Sequence, residues 1–407
     1  MVPAQTVRVI DLENADQVHG KQINGEAARE FIGNVRLRQE NVHITCDRAL
    51  QFLTSGRVDL MGNVVVVDDS GVTMRTPRGM YFRDDRRAIA LDTVRIDDGE
   101  VTLTARYGEY FVDPKRAFFR GSVVVRDSAS IVASDSLTYY RVDKKSVAQG
   151  NVKVHNLTDN ITITGRRLEH WSSRKFSRIT EQPVLTQIDS SDTGTYDTLI
   201  VRSKTMEAYR DTLKLLLAID SVQIVRTDLA AVCKVAKFYT AADSIVLRGT
   251  PIVWYQDTQV TGDSINVYLK RRKLDHVNVM SNAFAISESD SSFPERYDQI
   301  TGEFMRLQFA GKGLQHIDVE TRAISLYHLY EDSLANGLNK TSGDRILISF
   351  KDGKVESIRV VGGVEGQYFP ENLVLGKERD YEIAGFQLYT TRPRMYPEPS
   401  ERGFDKK

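Results

Sequence analysis

The chain has 407 residues, and its 55 Lys+Arg balance its 55 Asp+Glu, so net charge is zero. Charges of both signs alternate along it, which is the pattern of solvated faces and not the clustered basic excess of a nucleic-acid binder, so no nucleic-acid partner is expected. No run approaches the roughly 18 consecutive apolar residues of a membrane span.

At the start, Met1-Val2-Pro3-Ala4 places small or apolar residues before Gln5 as a signal peptidase would read them. There is no basic n-region or apolar h-region, so a mature secreted form with an added Met and a cytosolic chain both fit. A first strand is expected over residues 6–12, TVRVIDL.

From there the chain repeats itself. CDRALQFLTSGRVDLMGNVVV begins at Cys46, ARYGEYFVDPKRAFFRGSVVV at Ala105, SDSLTYYRVDKKSVAQGNVKV at Ser134 and CKVAKFYTAADSIVLRGTPIV at Cys233. Fixed-period self-similarity decides a fold before any single motif does. Each copy reads as an extended arm, a tight turn such as Asp68-Asp69-Ser70-Gly71 or Asp113-Pro114-Lys115, and an extended return. The returns place a bend at Asn34, Asn63, Thr93, Ser122 and Asn151, spaced 29–30 residues apart. Weaker copies fall near Pro183, Ser221, Thr250, Asn282, Arg322 and Gly363, eleven in all.

Period two assigns the faces. Val35/Leu37, Val64/Val66, Val94/Ile96, Val123/Val125 and Val152/Val154 share one face, while Arg36, Arg95 and Lys153 take the other. The outgoing arms Val72/Met74, Val101/Leu103/Ala105 and Ile161/Ile163 obey the same rule. Gly and Asn inside a strand pattern mark a bend and not an end, so each strand is creased at Gly62, Gly121 or Gly150. Stacked side by side, creased strands make two sheets meeting at a V with one apolar inner face. Helical periodicity is arguable only over residues 212–219.

The later repeats, from Thr261, Thr301 and Ser342, have longer arms: 18 residues from acid to bend, against 15 from Asp135 to Gly150. Looser insertions rich in Ser and Asp interrupt at 189–197 and 287–299. Three segments follow: 1–190 with short arms, 191–392 with longer arms, and a proline-bearing tail, 393–407, that reads as disordered. A last strand is expected over residues 381–389.

No zinc spacing, nucleophile elbow, P-loop or dinucleotide fingerprint is present, so no enzyme, metal or cofactor is expected. Gly311-Lys312-Gly313 reads as a hairpin turn, and the pairs Asp68-Asp69, Asp84-Asp85 and Asp97-Asp98 as solvated turn residues without the nonapeptide loop of calcium solenoids. His155, His170 and His276 read as surface residues, and Trp171 and Trp254 as rim or core. Cys46 and Cys233 lie six repeats apart, roughly 55–60 Å at the usual strand spacing. A disulfide spans about 7 Å at most, so both are expected to be free thiols.

The GNVVV, GSVVV and GNVKV returns, each after a D-x-L-x-Y-like arm and a charged turn, resemble the periplasmic lipopolysaccharide-transport LptA/OstA family. The GD-x-I arms and Gly366-Gln367-Tyr368-Phe369-Pro370 look like its long, Bacteroidota-type OstA-like members. The resemblance implies an all-β, elongated twisted β-jellyroll (a "β-taco") of about eleven creased two-strand repeats. It also implies a non-enzymatic periplasmic bridge carrying lipopolysaccharide toward the outer membrane. Inner-membrane-anchored and outer-membrane Lpt-type proteins would join it by edge-strand pairing, with head-to-tail self-association as a further option. Twice the length of a typical bridge protein, the chain has no assigned station in such a bridge.

The apolar trough needs side chains without unpaired polar groups, since each of those costs about 1–3 kcal/mol. Its lipid-binding candidates are Val35, Leu37, Ile44, Val64, Val66, Met74, Val94, Ile96, Leu103, Val123, Val125, Ile131, Val152, Val154, Ile161 and Ile163. A structural solenoid of the cell envelope with a closed core stays open as the alternative. A polysaccharide-processing β-helix enzyme would need a row of outer carboxylates that the sequence lacks.

Overall fold

The computed structural model describes residues 10–68, 71–158, 160–190, 196–211, 214–270, 273–290, 292–293, 295–310, 313–331, 334–351 and 354–395. Residues 6–9 of the expected first strand, the turn residues Asp69, Ser70, Gly311 and Lys312, and residues 396–407 of the tail lie outside them. The chain divides into two compact units, Met1–Glu181 and Gln182–Lys407. Both are antiparallel β-jellyroll arrays.

In the first unit the strands Asp11–Asn14 and Gln17–Ile23 pair with the two halves of Glu26–Gln39. Val42–Phe52, Arg57–Val67 and Thr73–Phe82 follow as full creased strands. Arg87–Leu91 with Val94–Asp97, and Thr102–Ala105 with Tyr107–Phe111, are strands broken at the crease. Arg116–Arg126, Ser130–Tyr140, Lys145–Asn156, Ile161–Trp171 and Phe176–Thr180 complete the unit. Sequence neighbours pair antiparallel throughout, because turns of two to five residues can join only antiparallel arms.

The crease has a chemical cause. From Ile32 to Val35 the return strand advances three residues while its neighbour advances two, from Arg48 to Cys46. The extra residue is a β-bulge, which bends the strand and increases its twist. Two left-handed residues make it, Gly33 (φ 76°) and Asn34 (φ 45°), residue types that tolerate that region. The Asp16 N–H donates to Gly33 O at 3.0 Å, and Asn34 Nδ2 donates to Asp16 Oδ2 at 3.0 Å. Asp47 holds Asn63, and Asp135 holds Asn151, in the same way. Among the described residues eleven creases carry positive φ: 33/34, 62/63, 92, 121/122, 150/151, 181/182, 220/221, 249/250, 281/282, 321/322 and 362/363. The expected bends hold, except that the one at Thr93 lies on Asp92 and the one near Pro183 on Glu181 and Gln182.

In the second unit the strand Leu215–Val225 takes residues 215–219 of the run read as arguably helical, whose residues 212 and 213 lie outside the described ones. The later strands are long: Lys273–Glu288, Tyr297–Ala310, Gly313–Glu331 and Leu334–Lys351, of 14–19 residues against 10–14 for the full creased strands of the first unit. The strands flanking the insertion at 189–197 pair from Val184↔Arg202 to Ser190↔Tyr196, and its residues 191–195 lie outside the described ones. Among the described residues the last strand is Glu365–Phe369, not residues 381–389. There the chain instead forms the short helix Glu371–Val374, a 3₁₀ turn at Glu378–Tyr381 and a strandless segment to residue 395. Where the sequence reads as a disordered tail, the carbonyls of Arg394 and Met395 accept from Arg202. Among the described residues no helix is long and apolar enough to cross a membrane.

Candidate functional site: an apolar trough in the first unit

Residues directly opposite on paired strands share a face. The register links Leu12, Leu37, Ile44, Val66, Met74, Ile96, Leu103, Val125, Val132, Val154 and Ile163 into one continuous row. Two residues nearer the crease, Val35, Val64, Val94, Val123 and Val152 are each no more than 1 % exposed. The facing arm answers with Phe31, Ala49, Leu60, Gly79, Ala90, Gly108, Phe119, Leu137, Ala148, Leu168 and Ile179, again one residue per strand. Both arms meet in two apolar clusters along the bottom of the V.

Burial falls toward the mouth. Ile44, Val66, Met74, Ile96, Leu103, Val125, Val132 and Ile163 are only partly buried, although they pack against the core below them. On the facing arm the corresponding inner row runs Val58, Tyr81, Ala88, Tyr110, Ala117, Tyr139, Ser146, His170 and Ser177. Tyrosines spaced 29 residues apart (81, 110 and 139) thus stand half-buried above the apolar floor. A tyrosine suits that boundary, because its ring is apolar and its hydroxyl wants water or a polar group. Sequence reasoning assigned these tyrosines no role, although the Y of the repeated arm marks them. At the start of the unit the two arms leave a cleft of about 360 Å³, lined by Ile10, Leu12, Val18 and Leu37 with Phe31, Gln51 and Val58, and with Asp11 and Arg29 among its polar residues.

Fifteen of the sixteen candidates share the inner face. Ile131 does not: it lies opposite Arg126 and His155, on the face that also carries Lys153. Val132 takes the inner place between Val125 and Val154. Ile131, Val132 and Ala133 are consecutive and apolar, so alternation alone cannot say which of them faces in. Ile161 keeps inner parity but sits at the outer end, opposite Asn156.

Other candidate chemistry resolves into structure. Asp98 Oδ1 accepts the N–H of Glu100 at 3.0 Å and of Val101 at 2.6 Å, and Asp127 does the same for Ala129 and Ser130. Asp68 accepts the N–H of Val72. The Gly99 N–H and the Arg95 guanidinium hold the Asp97 carboxyl below its ordinary range. These carboxylates close hairpin turns, and among the described residues no group of three or more His, Cys, Asp or Glu could hold a metal ion. Cys46 and Cys233 are free and buried. Burial pushes their thiols up, to about 11 and about 12. His170 stands on the inner rim with its Nδ1 2.9 Å from Ser177 Oγ, whereas His276 stacks on Tyr268.

Residues 7–162 match the OstA-like protein family. No curated protein matches the chain. Among solved structures it is similar to LptH, the LptA homologous periplasmic component of the lipopolysaccharide transport device of Pseudomonas aeruginosa. Identity is 12 %, covering 35 % of this chain and 95 % of that one, with a TM-score of 0.28.

Proposed function

Taking residues 7–162 as an OstA-like array, we propose that the chain is a non-enzymatic, lipid-binding bridge of the periplasm. It carries lipopolysaccharide toward the outer membrane with the acyl chains laid along the trough of the first unit. The observation that carries this reading is the continuous inner row from Leu12 to Ile163, only partly buried at eight of its eleven positions above a buried floor and faced by a rim of tyrosines. Acyl chains demand no directional partner and gain about 0.8 kcal/mol per CH₂ removed from water, so a row of Val, Ile, Leu and Met suffices. A closed structural core would have no reason to leave that row part-exposed on nine of its eleven strands, Leu37 and Val154 being the buried exceptions.

Partner proteins would join at open strand edges. Among the described residues Asp11–Asn14 and Gln17–Ile23 form one such edge in the first unit, with Leu12 and Val18 exposed. Lys354–Val361 and Glu365–Phe369 form another in the second unit, with Ile358, Val361 and Tyr368 exposed. Exposed edge strands are templates for strand addition. An inner-membrane-anchored partner would take the first and an outer-membrane partner the second, and head-to-tail self-association would use both.

The test is site-specific photocrosslinking in a detergent-free preparation. Benzoylphenylalanine at Val125 or Val132 should form lipopolysaccharide adducts, and at Arg126 or Ile131 it should not. Val125→Asp places a charge against acyl chains at about 2–3 kcal/mol, enough to cut binding by 30-fold or more. Equal labelling at all four positions would remove the trough from consideration.

A further inference from the structure

The second unit has a second apolar face. Period two places Val253, Val260, Ala285 and Ile300 in the core, yet their neighbours Trp254, Ile286 and Leu326 on the opposite face are also buried. What covers them is the chain's own segment 370–395. Val374 and Ile383 fill a cluster with Phe284, Ile286, Leu326 and Leu338, and Phe386 and Tyr381 pack at its margin.

The polar contacts show how that segment is held. Gln259, 3 % exposed, donates from Nε2 to Gln387 O at 2.8 Å and accepts the Tyr389 N–H on Oε1 at 2.8 Å. Gln299 Oε1 accepts the Ile383 N–H at 2.9 Å. Trp254 Nε1 donates to Tyr389 O at 3.3 Å, and Lys340 Nζ to Tyr381 O at 3.2 Å. Each of these is a side chain of the sheet reading a main-chain group of the segment. No ladder strand is added, so the sheet treats this stretch as a docked peptide. One ionic anchor fixes its start: Arg296, 2 % exposed, donates to Glu371 at 2.6 and 3.1 Å and to Glu378 at 3.2 Å.

We propose that this face is a groove for an extended peptide, recognised chiefly through its main chain, and that residues 370–395 are its built-in ligand, a latch released when the Arg296 anchor opens. The buried amides of Gln259, which satisfies both an N–H and a C=O of the passing chain, and of Gln299, which accepts an N–H, would be costly if left unpaired, so the face requires an occupant. Because the contacts are to main-chain atoms, a free copy of the segment fits as well as the tethered one. The tether wins in the intact chain by effective concentration alone, in the millimolar range for short connections.

The test titrates a fluorescent peptide of residues 378–395 against full-length protein by anisotropy. Wild-type protein should bind it weakly, because the groove is filled. Glu371→Gln with Glu378→Gln loosens the latch without touching the groove and should raise affinity at least tenfold. Adding Gln259→Ala to that pair should lower it at least tenfold again. Absence of binding to the loosened variant with native circular dichroism overturns the proposal, as does binding indifferent to Gln259→Ala. Should the loosened variant fail to fold, hydrogen exchange on wild-type protein decides. A latch opens locally, so the amides of Ile383 and Tyr389 should exchange faster than those of Val279 and Met305. Exchange of all four only on global unfolding would make the segment a fixed part of the core and refute release.

Discussion

Gly150→Ala probes one of the tight creases. Gly150 has φ +74°, and a Cβ there would sit 2.3 Å from Asp135 Oδ2 and 2.9 Å from the Cβ and Cγ of the same residue. Holding alanine in the left-handed region costs about 1–2 kcal/mol. The carboxylate must also swing away and release Asn151 Nδ2, now 2.9 Å from Asp135 Oδ2. That bond lies at the surface, so its loss adds only about 1 kcal/mol, for a total of about 2–3 kcal/mol. In a chain already carrying Asp135→Ala, only the backbone penalty of about 1–2 kcal/mol should remain, and the double-mutant cycle should show a coupling of about 1 kcal/mol. Repeat stability is local, so the readout is hydrogen exchange by strand. Amides of Ser130–Tyr140 and Lys145–Asn156 should open about 30- to 140-fold more often, and those of Val42–Phe52 should not change. An equal penalty with and without Asp135, or loosening spread over the whole unit, would refute the clamp.

Two further outcomes follow from buried groups. With thiols at about 11 and about 12, the thiolate fractions of Cys46 and Cys233 at pH 8 are on the order of 10⁻³ and 10⁻⁴, and alkylation of native protein should run at least 100-fold slower than in urea; comparable rates in both conditions would contradict that burial. Glu30 accepts from Lys21 and Arg48, and these bonds hold its carboxyl below its ordinary 4.5. The folded state therefore releases this proton more readily than the unfolded one, so the stabilisation is complete above pH 4.5 and is lost as pH falls below it. Exchange at Gln17–Ile23 should accelerate on that descent in wild type and show no such step in Glu30→Gln.

The trough floor was legible because two periods agree there: two residues along each strand and 29 residues from copy to copy. Val94, Val123 and Val152 satisfy both, and all three are buried. Ile131 satisfied neither test cleanly, because two apolar residues follow it and only the register with Val125 and Val154 orients the arm. Residues 381–389 read as a strand since Tyr381, Ile383, Phe386, Leu388 and Tyr389 make them an apolar run with polar breaks. That pattern describes an extended chain with one buried side, whether its N–H groups meet a ladder or the amides of Gln259 and Gln299. Those two glutamines gave no signal of their own, because a polar residue at outward parity reads as solvent-facing until something covers it. Leu215–Val225 was ambiguous for a similar reason, its run Leu215-Leu216-Leu217 being apolar at every position.

The crease clamps also set an order of events. Asp47 and Asn63 are 16 residues apart, Asp16 and Asn34 are 18, and Asp263 and Asn282 are 19. A chain emerging N-terminus first can therefore close each repeat on the one just made, with little loop entropy to overcome. The contacts of Gln259 with Gln387 and Trp254 with Tyr389 span 128 and 135 residues, so they form only after the last strands of the second unit exist. A chain interrupted before residue 371 would leave Trp254, Ile286 and Leu326 uncovered, an adhesive face that proteases and chaperones of its compartment would meet first. Docking of residues 371–389 is thus the step that hides this face.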